Sequence, residues 1–185
     1  MKFIIEHLEP RLYKWCIIEY THISEIVGKE NLIFTNIREN DIKKLEKLGE
    51  VYTKSVKKMN FDNSCVLDPF AKKELTSSDK FDYMILGGIL GDEPMKKRTE
   101  LELTNFIDAK VRHLGKKQMS TDTAVYVSKY IVDGGKFSDI NFQDEIEIDI
   151  REGESIQLPF RYVLKNNKPM LPKGLIEFLK KRKDF

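Results

Sequence analysis

Apolar positions in this chain follow two alternating rhythms. In KFIIEH, residues 2–7, Phe3, Ile4 and Ile5 are consecutive, the pattern of a strand covered on both faces. In RLYKWCIIEYTHISEIVG, Leu12, Cys16, Tyr20, Ile23 and Val27 recur at helical spacing up to Gly28, where a helix stops. The alternation repeats. NLIFTN predicts a second strand, and NDIKKLEKLG a short helix with Ile42, Leu45 and Leu48 inward and Gly49 after it. SCVLDP predicts a third strand halted by Pro69, FDYMILGGI a fourth, and DAKVRHL a fifth. Between the last two, Thr99 and Glu102 fit a capping box that opens a short helix. MSTDTAVYVSKYIVDGG predicts another helix, with Ser120, Thr121 or Asp122 as its cap.

Repeated strand–helix alternation argues for an α/β layer structure with a mostly parallel sheet. The rhythm changes after about residue 140. Ile146, Ile148 and Ile150 alternate with acids, and Ile156, Leu158 and Phe160 alternate after REGE, which predicts a half-exposed antiparallel hairpin. PKGLIEFLKKRKDF predicts a terminal helix. Neither a repeat nor a linker divides the chain. One domain over residues 1–185 is expected, with a core at 1–140 and a hairpin-plus-helix appendage at 141–185.

At 185 residues, with 41% hydrophobic and 34% charged, the chain has the composition of a soluble globular domain. No apolar run reaches bilayer length, and Glu6 and Glu9 fall where a signal peptide needs apolar residues, so a cytoplasmic protein is expected. Cys16 and Cys65 form no CxxC and read as core thiols. His7, His22 and His113 show no ligand spacing, so no metal is expected. The net charge of +2 does not argue for nucleic acid. The basic runs are KKR at 96–98 and KKRK at 180–183. The second reads either as a solvated helix end or as a nucleic-acid patch.

Ligands bind beyond the carboxyl ends of strands in open parallel sheets. Three unusual loops leave such ends: LDPFA at 67–71, GGILGDEP at 87–94 and HLGKKQMSTDTA at 113–124. No GxGxxG follows the first strand, and there is no GxxxxGK[ST], GxSxG or cysteine–histidine pairing. Backbone amides and carbonyls with a few acids would suit a small ligand, and tight turns would produce the same loops.

GGILGDEP followed by KRT, together with RHLGKKQMSTDTA, PFRYV and the opening IIEHLE, resembles one SPOUT-class family of S-adenosylmethionine (SAM)-dependent methyltransferases. That family includes the eukaryotic protein arginine methyltransferase acting on a small-subunit ribosomal protein. The resemblance runs in order from residue 1 to about 179. It implies a trefoil-knotted, mostly parallel sheet flanked by helices, with SAM held among the three loops. The cofactor residues it implies are Gly87, Gly88, Ile89, Leu90 and Gly91, then Leu114, Gly115, Gln118, Met119, Ser120 and Thr121, with Leu67 and Pro69. Leu114 and Met119 also read as plain core. Two departures are Lys97, where the family has Asp, and Ser120, where it has Thr.

An arginine acceptor is always charged, so carboxylates must hold it. Asp92, Glu6, Glu9 and Asp122 are the candidate catalytic acids. Glu6 and Glu9 read equally as a solvated strand end, and Asp122 as a helix cap. His7, Glu93, Arg98 and Arg161 are candidate substrate contacts. His7 reads also as a structural histidine, and Arg161 as a partner for Asp92. The resemblance implies a protein substrate, ribosomal in origin by family analogy, with RNA or a catalytically silent ribosome-binding role as alternatives. A monomer is the expected state.

Overall fold

The computed structural model describes residues 1–151 and 153–181. Six strands form one sheet: β1 (Lys2–His7), β2 (Leu32–Thr35), β3 (Glu50–Val51), β4 (Ser64–Leu67), β5 (Tyr83–Gly88) and β6 (Lys110–Arg112). Their order is β3-β2-β1-β5-β4-β6, and every neighbouring pair is parallel. The five predicted strands are all present. Edge strand β3 adds to them, and its two residues are too few to show any periodicity. β5 has β1 on one side and β4 on the other, with Ile5 opposite Leu86 and Cys65 opposite Met84. Both of its faces are covered, which accounts for an apolar run that is continuous rather than alternating.

Helices α1 (Lys14–Val27) and α4 (Thr121–Val132) cover one face, where Phe3, Ile5, Phe34, Met84 and Leu86 meet Cys16, Tyr20, Ile23 and Val125. On the other face Ile4, Ile33, Val66 and Ile85 pack with Val56 and Leu103. Leu103 directly follows α3 (Arg98–Glu102). The short helix α2 (Ile42–Leu45) buries Leu45 completely. Burial pushes both thiols, Cys16 and Cys65, up to about 12, so they are un-ionised core groups at neutral pH.

α1 also carries a second apolar face. Trp15 and Ile18 pack against the antiparallel hairpin of β7 (Phe142–Arg151) and β8 (Glu154–Lys165) and against α5 (Leu175–Lys181), with Ile146, Ile148, Leu158, Leu175 and Leu179 in the same cluster. A further strand, β9 (Lys168–Pro169), pairs with β8. The rest of the predicted terminal helix, including Arg182 and Lys183 of the basic run, lies outside the described residues.

Two predicted caps are replaced by other contacts. Lys97 precedes α3, and Glu102 accepts from Arg98 Nε at 2.8 Å instead of closing a box with Thr99. Ser120 precedes α4, but its hydroxyl donates to the Thr123 hydroxyl at 2.9 Å and caps no backbone N–H.

Where α1 and α4 meet under β8, the interior is polar. Asp122 is fully buried and its Oδ2 pairs with His22 Nδ1 at 2.7 Å, while Trp15 Nε1 donates to buried Glu19 at 2.8 Å. Burial first, and then repulsion from Asp122, raise Glu19 well above the usual carboxylate range. The folded state therefore holds Glu19 neutral, while an unfolded chain ionises it above about pH 4.3. Because the folded pKa is the higher one, this contribution to stability is complete below the unfolded value and is lost as pH rises through the folded one. Glu19→Gln keeps the neutral form at every pH. Thermal melts should show the variant gaining on the wild type as pH rises above the unfolded value of about 4.3; a difference independent of pH would mean that Glu19 is ionised in the fold.

Candidate functional site

A cleft of ≈ 110 Å³ opens at the carboxyl ends of β4 and β5. Leu67, Asp68 and Pro69 form one wall, and Leu86, Gly87, Ile89, Gly91 and Asp92 a second. The segment after β6 closes it with Leu114, Gly115, Gln118 and Met119, and α4 contributes Thr121 and Ala124. The three loops predicted to hold a ligand thus share one cavity.

Backbone contacts bring them together. Asp68 N–H donates to the Arg112 carbonyl at 2.9 Å, continuing the β4–β6 pairing into the loops. The Asp68 carboxylate accepts from Phe70 N–H at 2.9 Å and from the Thr104 hydroxyl at 2.7 Å, tying the 67–71 turn to the segment after α3. Gly91 has φ +70°, and a Cβ there would lie 2.4 Å from Gln118 Nε2 and 2.8 Å from the Phe160 ring. No side chain fits between those loops. The Gln118 backbone carbonyl accepts from Arg161 N–H at 2.9 Å, so β8 backs the cleft.

The cleft is mostly apolar; apart from buried Asp68, its charged residues stand at the rim. Asp92 Oδ1 accepts from Lys96 Nζ at 3.0 Å. Arg98 is held more fully: its guanidinium donates to Glu9 Oε1 at 2.8 Å, to both oxygens of Glu102 at 2.8 and 3.4 Å, and to the Leu8 carbonyl at 3.4 Å. Glu102 and then Glu9 raise the Arg98 pKa further above its ordinary value. Glu9 Oε1 also accepts from Leu90 N–H at 3.1 Å, which anchors the loop after β5. Gln118 Oε1 is buried and has no hydrogen-bond partner among the described residues.

Twelve of the anticipated residues lie on the wall: Leu67, Pro69, Gly87, Ile89, Gly91, Asp92, Arg98, Leu114, Gly115, Gln118, Met119 and Thr121. The others are placed elsewhere, each for a definite reason. Glu6 is fully buried and accepts from Thr35 Oγ1, Ser55 Oγ and Val56 N–H, so its carboxylate ties β1 to its neighbours rather than serving the cleft. Asp122 neither caps α4 nor reaches the cleft, since it points at His22. His7 is 3% exposed and bonds the Tyr20 hydroxyl through Nδ1 at 2.9 Å; burial lowers its pKa. A Cβ on Gly88 would lie 2.1 Å from that hydroxyl, so Gly88 makes room for Tyr20. Arg161 pairs with Asp144 at 2.6 Å, not with Asp92, and together with Lys117 it holds the Asp144 carboxyl well below the usual range. Leu90 packs on the core, Ser120 precedes α4 and bonds the Thr123 hydroxyl, and Glu93 is exposed off the wall. Glu9 stands one hydrogen bond behind the wall, through Arg98.

Sequence reading assigned no site role to Asp68, Met95, Thr99, Lys117 and Ala124, all of which line the cleft, and took Lys96 only as part of a basic run. For Asp68 a signal was present, an acid directly before Pro69 at a strand end. Lys117 and Ala124 fall within the loop at 113–124 already singled out, while Met95 and Thr99 carry no signal, because their role comes from where the loops meet. Among the described residues no cluster of His, Cys, Asp or Glu is placed to hold a metal, and no helix is long and apolar enough to cross a membrane.

The family model "Protein arginine N-methyltransferase SFM1-like" matches residues 2–184. Protein arginine N-methyltransferase SFM1 of Saccharomyces cerevisiae is 41% identical over 202 residues, covering 98% of this chain and 95% of that protein. The crystal structure of the yeast arginine methyltransferase SFM1 complexed with SAM superposes with a TM-score of 0.89 at 40% identity, covering 97% of this chain and 90% of that one. A Trm10 from Thermococcus kodakaraensis, 20% identical with a TM-score of 0.57 over 75% of this chain and 95% of its own, shares the fold. With the three loops meeting at the carboxyl ends of a parallel sheet, and with likeness running the length of the chain, the protein belongs to the SFM1-like family of protein arginine N-methyltransferases.

Proposed function

We propose that this protein transfers the methyl group of SAM to an arginine side chain of a protein. The observation that carries the reading is the shared cleft of the three loops, in a chain 41% identical to yeast SFM1 across almost its whole length. The cleft fits such a cofactor. Leu67, Leu86, Leu114 and Met119 offer apolar walls, and the turns at 87–91 and 114–119 bring backbone close to the cavity. Gln118 Oε1 is a buried acceptor awaiting a donor. When bound, SAM supplies a methyl group on a positively charged sulfur, which a nucleophile in line with it can take.

The work left to the chain is positioning. Asp92, at the rim, is the carboxylate placed to hold an incoming guanidinium through two nitrogens and leave the third to react. Glu9 holds Arg98 and the loop that carries Asp92, so it positions rather than reacts. The basic run adjoining the cleft offers little to a phosphate. Lys96 pairs with Asp92, Lys97 with Glu100, and Arg98 with Glu9 and Glu102. This pairing favours a protein acceptor over RNA.

Incubation of the purified protein with methyl-labelled SAM and a cell extract should place label in material that protease destroys and ribonuclease spares. Asp92→Asn should lower transfer by about a hundredfold or more, with SAM affinity by calorimetry changed by less than about threefold. Label lost to ribonuclease, or full activity in the variant, would overturn the assignment.

On the family resemblance we place the acceptor among ribosomal proteins. We also infer a knotted chain. His113 N–H donates to the Lys73 carbonyl at 2.9 Å, and Leu75 N–H to the His113 carbonyl at 3.0 Å, so the segment after β6 lies against the loop joining β4 to β5. Stretching single molecules by their ends should give a contour length short of the fully extended chain, whereas full extension would mean no knot. A monomer is the proposed state, because the hairpin and α5 already cover the outer face of α1. Light scattering at the mass of one 21.7 kDa chain is the expected result, and twice that mass would refute it.

A further inference from the structure

Two of the protein's own cations stand at the mouth of the cleft, and they are held very differently. Arg98 has a quarter of its side chain exposed and is fixed by two carboxylates and a carbonyl. Lys96 is 66% exposed and makes a single 3.0 Å contact with Asp92, itself 28% exposed. Residues 89–97 form neither helix nor strand, so no regular hydrogen bonding fixes this pair. Among the described residues the Asp92 carboxylate takes that one hydrogen bond.

From this asymmetry we propose that Lys96 is a placeholder for the acceptor: its ammonium occupies Asp92 in the free protein and is displaced when a substrate guanidinium arrives. The inference rests on the arginine reading above. An exposed ammonium–carboxylate pair contributes little. A guanidinium can take both carboxylate oxygens at once and is more weakly hydrated than an ammonium, so exchange favours it. A substrate lysine offers only the same single-point contact that Lys96 already makes. The resident ammonium therefore sets an affinity threshold, which a bidentate guanidinium overcomes more readily than a second ammonium. Arg98 cannot fill this role, because releasing it would strand Glu9 and Glu102 and free the loop that Leu90 anchors.

The probe is N-acetyl-arginine amide, with N-acetyl-lysine amide beside it, titrated into the protein saturated with S-adenosylhomocysteine, the product left when SAM loses its methyl group, and followed by amide chemical shifts. Lys96→Met should bind the arginine amide more tightly by about two- to fivefold at low ionic strength. The gain should fade by about 0.5 M salt, and the lysine amide should gain by the same factor, because both displace the same ammonium. Lys96→Arg should hold Asp92 more firmly and weaken arginine-amide binding. Lys97→Met removes the same charge from a residue paired with Glu100, and should leave affinity at the wild-type value. In steady-state transfer Lys96→Met should lower KM for the acceptor with kcat little changed. Equal affinity of wild type and Lys96→Met overturns the proposal, as does an equal gain from Lys97→Met or the absence of arginine-amide binding in every variant. Protease-sensitive label on arginine in the transfer experiment, found together with any of these results, would sink the Lys96 inference alone and leave the methyltransferase reading standing.

Discussion

Beyond the carboxyl end of β5, three parts of the chain occupy a space that has no room for one more methyl group. On one side the Tyr20 hydroxyl lies where a Cβ of Gly88 would be, and farther along Gln118 and Phe160 crowd the position of a Cβ on Gly91. The hydrogen in place of a side chain lets α1 seat its tyrosine against His7 on one flank. On the other it lets the loop after β5 touch the loop after β6 and the strand that backs it. The cleft is the space those approaches leave. Its walls hold backbone as well as side chains, which is why residue types alone give so weak a signature for it.

Charge is sorted by depth. Three carboxyl groups in or beside the core serve the fold: Glu6 joins β1 to its neighbours, Asp122 holds His22, and Glu19 stays neutral under Trp15. Buried acids survive because each finds donors or gives up its charge. At the rim, Asp92 meets Lys96 in partly hydrated surroundings, where a pair exchanges cheaply, while one step behind it Glu9 and Glu102 hold Arg98 in place. Two acids three residues apart in sequence, Glu6 and Glu9, therefore do different work. One lies on β1 facing the interior, and the other lies past its end, where the chain turns toward the cleft.

Much of this was legible in the chain itself. Continuous apolar runs at Phe3–Ile5 and Met84–Leu86 imply strands covered on both faces, and the spacing of Cys16, Tyr20, Ile23 and Val27 implies a helix packed on them. These patterns are local, because backbone geometry imposes them within a few residues. The alternating isoleucines at 146, 148 and 150 implied the hairpin in the same way. The motifs GGILGDEP and LGKKQMSTDT pointed to the loops that line the cleft, and their glycines pointed to close approach.

What the sequence could not carry was direction and partnership. Nothing near Asp122 signals that His22, a hundred residues earlier, will take its carboxylate, or that Arg161 will turn to Asp144. Gly88 and Gly87 look alike in the chain, yet the strand pleat sends one toward Tyr20 and leaves the other on the cleft wall. Trp15 and Ile18 belong to a second face of α1 that has meaning only once the hairpin lies on it. The sequence by itself determined which segments become strands and helices and where the glycine-rich loops fall, since those follow from backbone sterics and the burial of short apolar patterns. Only the tertiary structure decided which acids became core ties and which became the rim of the site, because that depends on which distant donors the packed sheet and helices bring within hydrogen-bond reach.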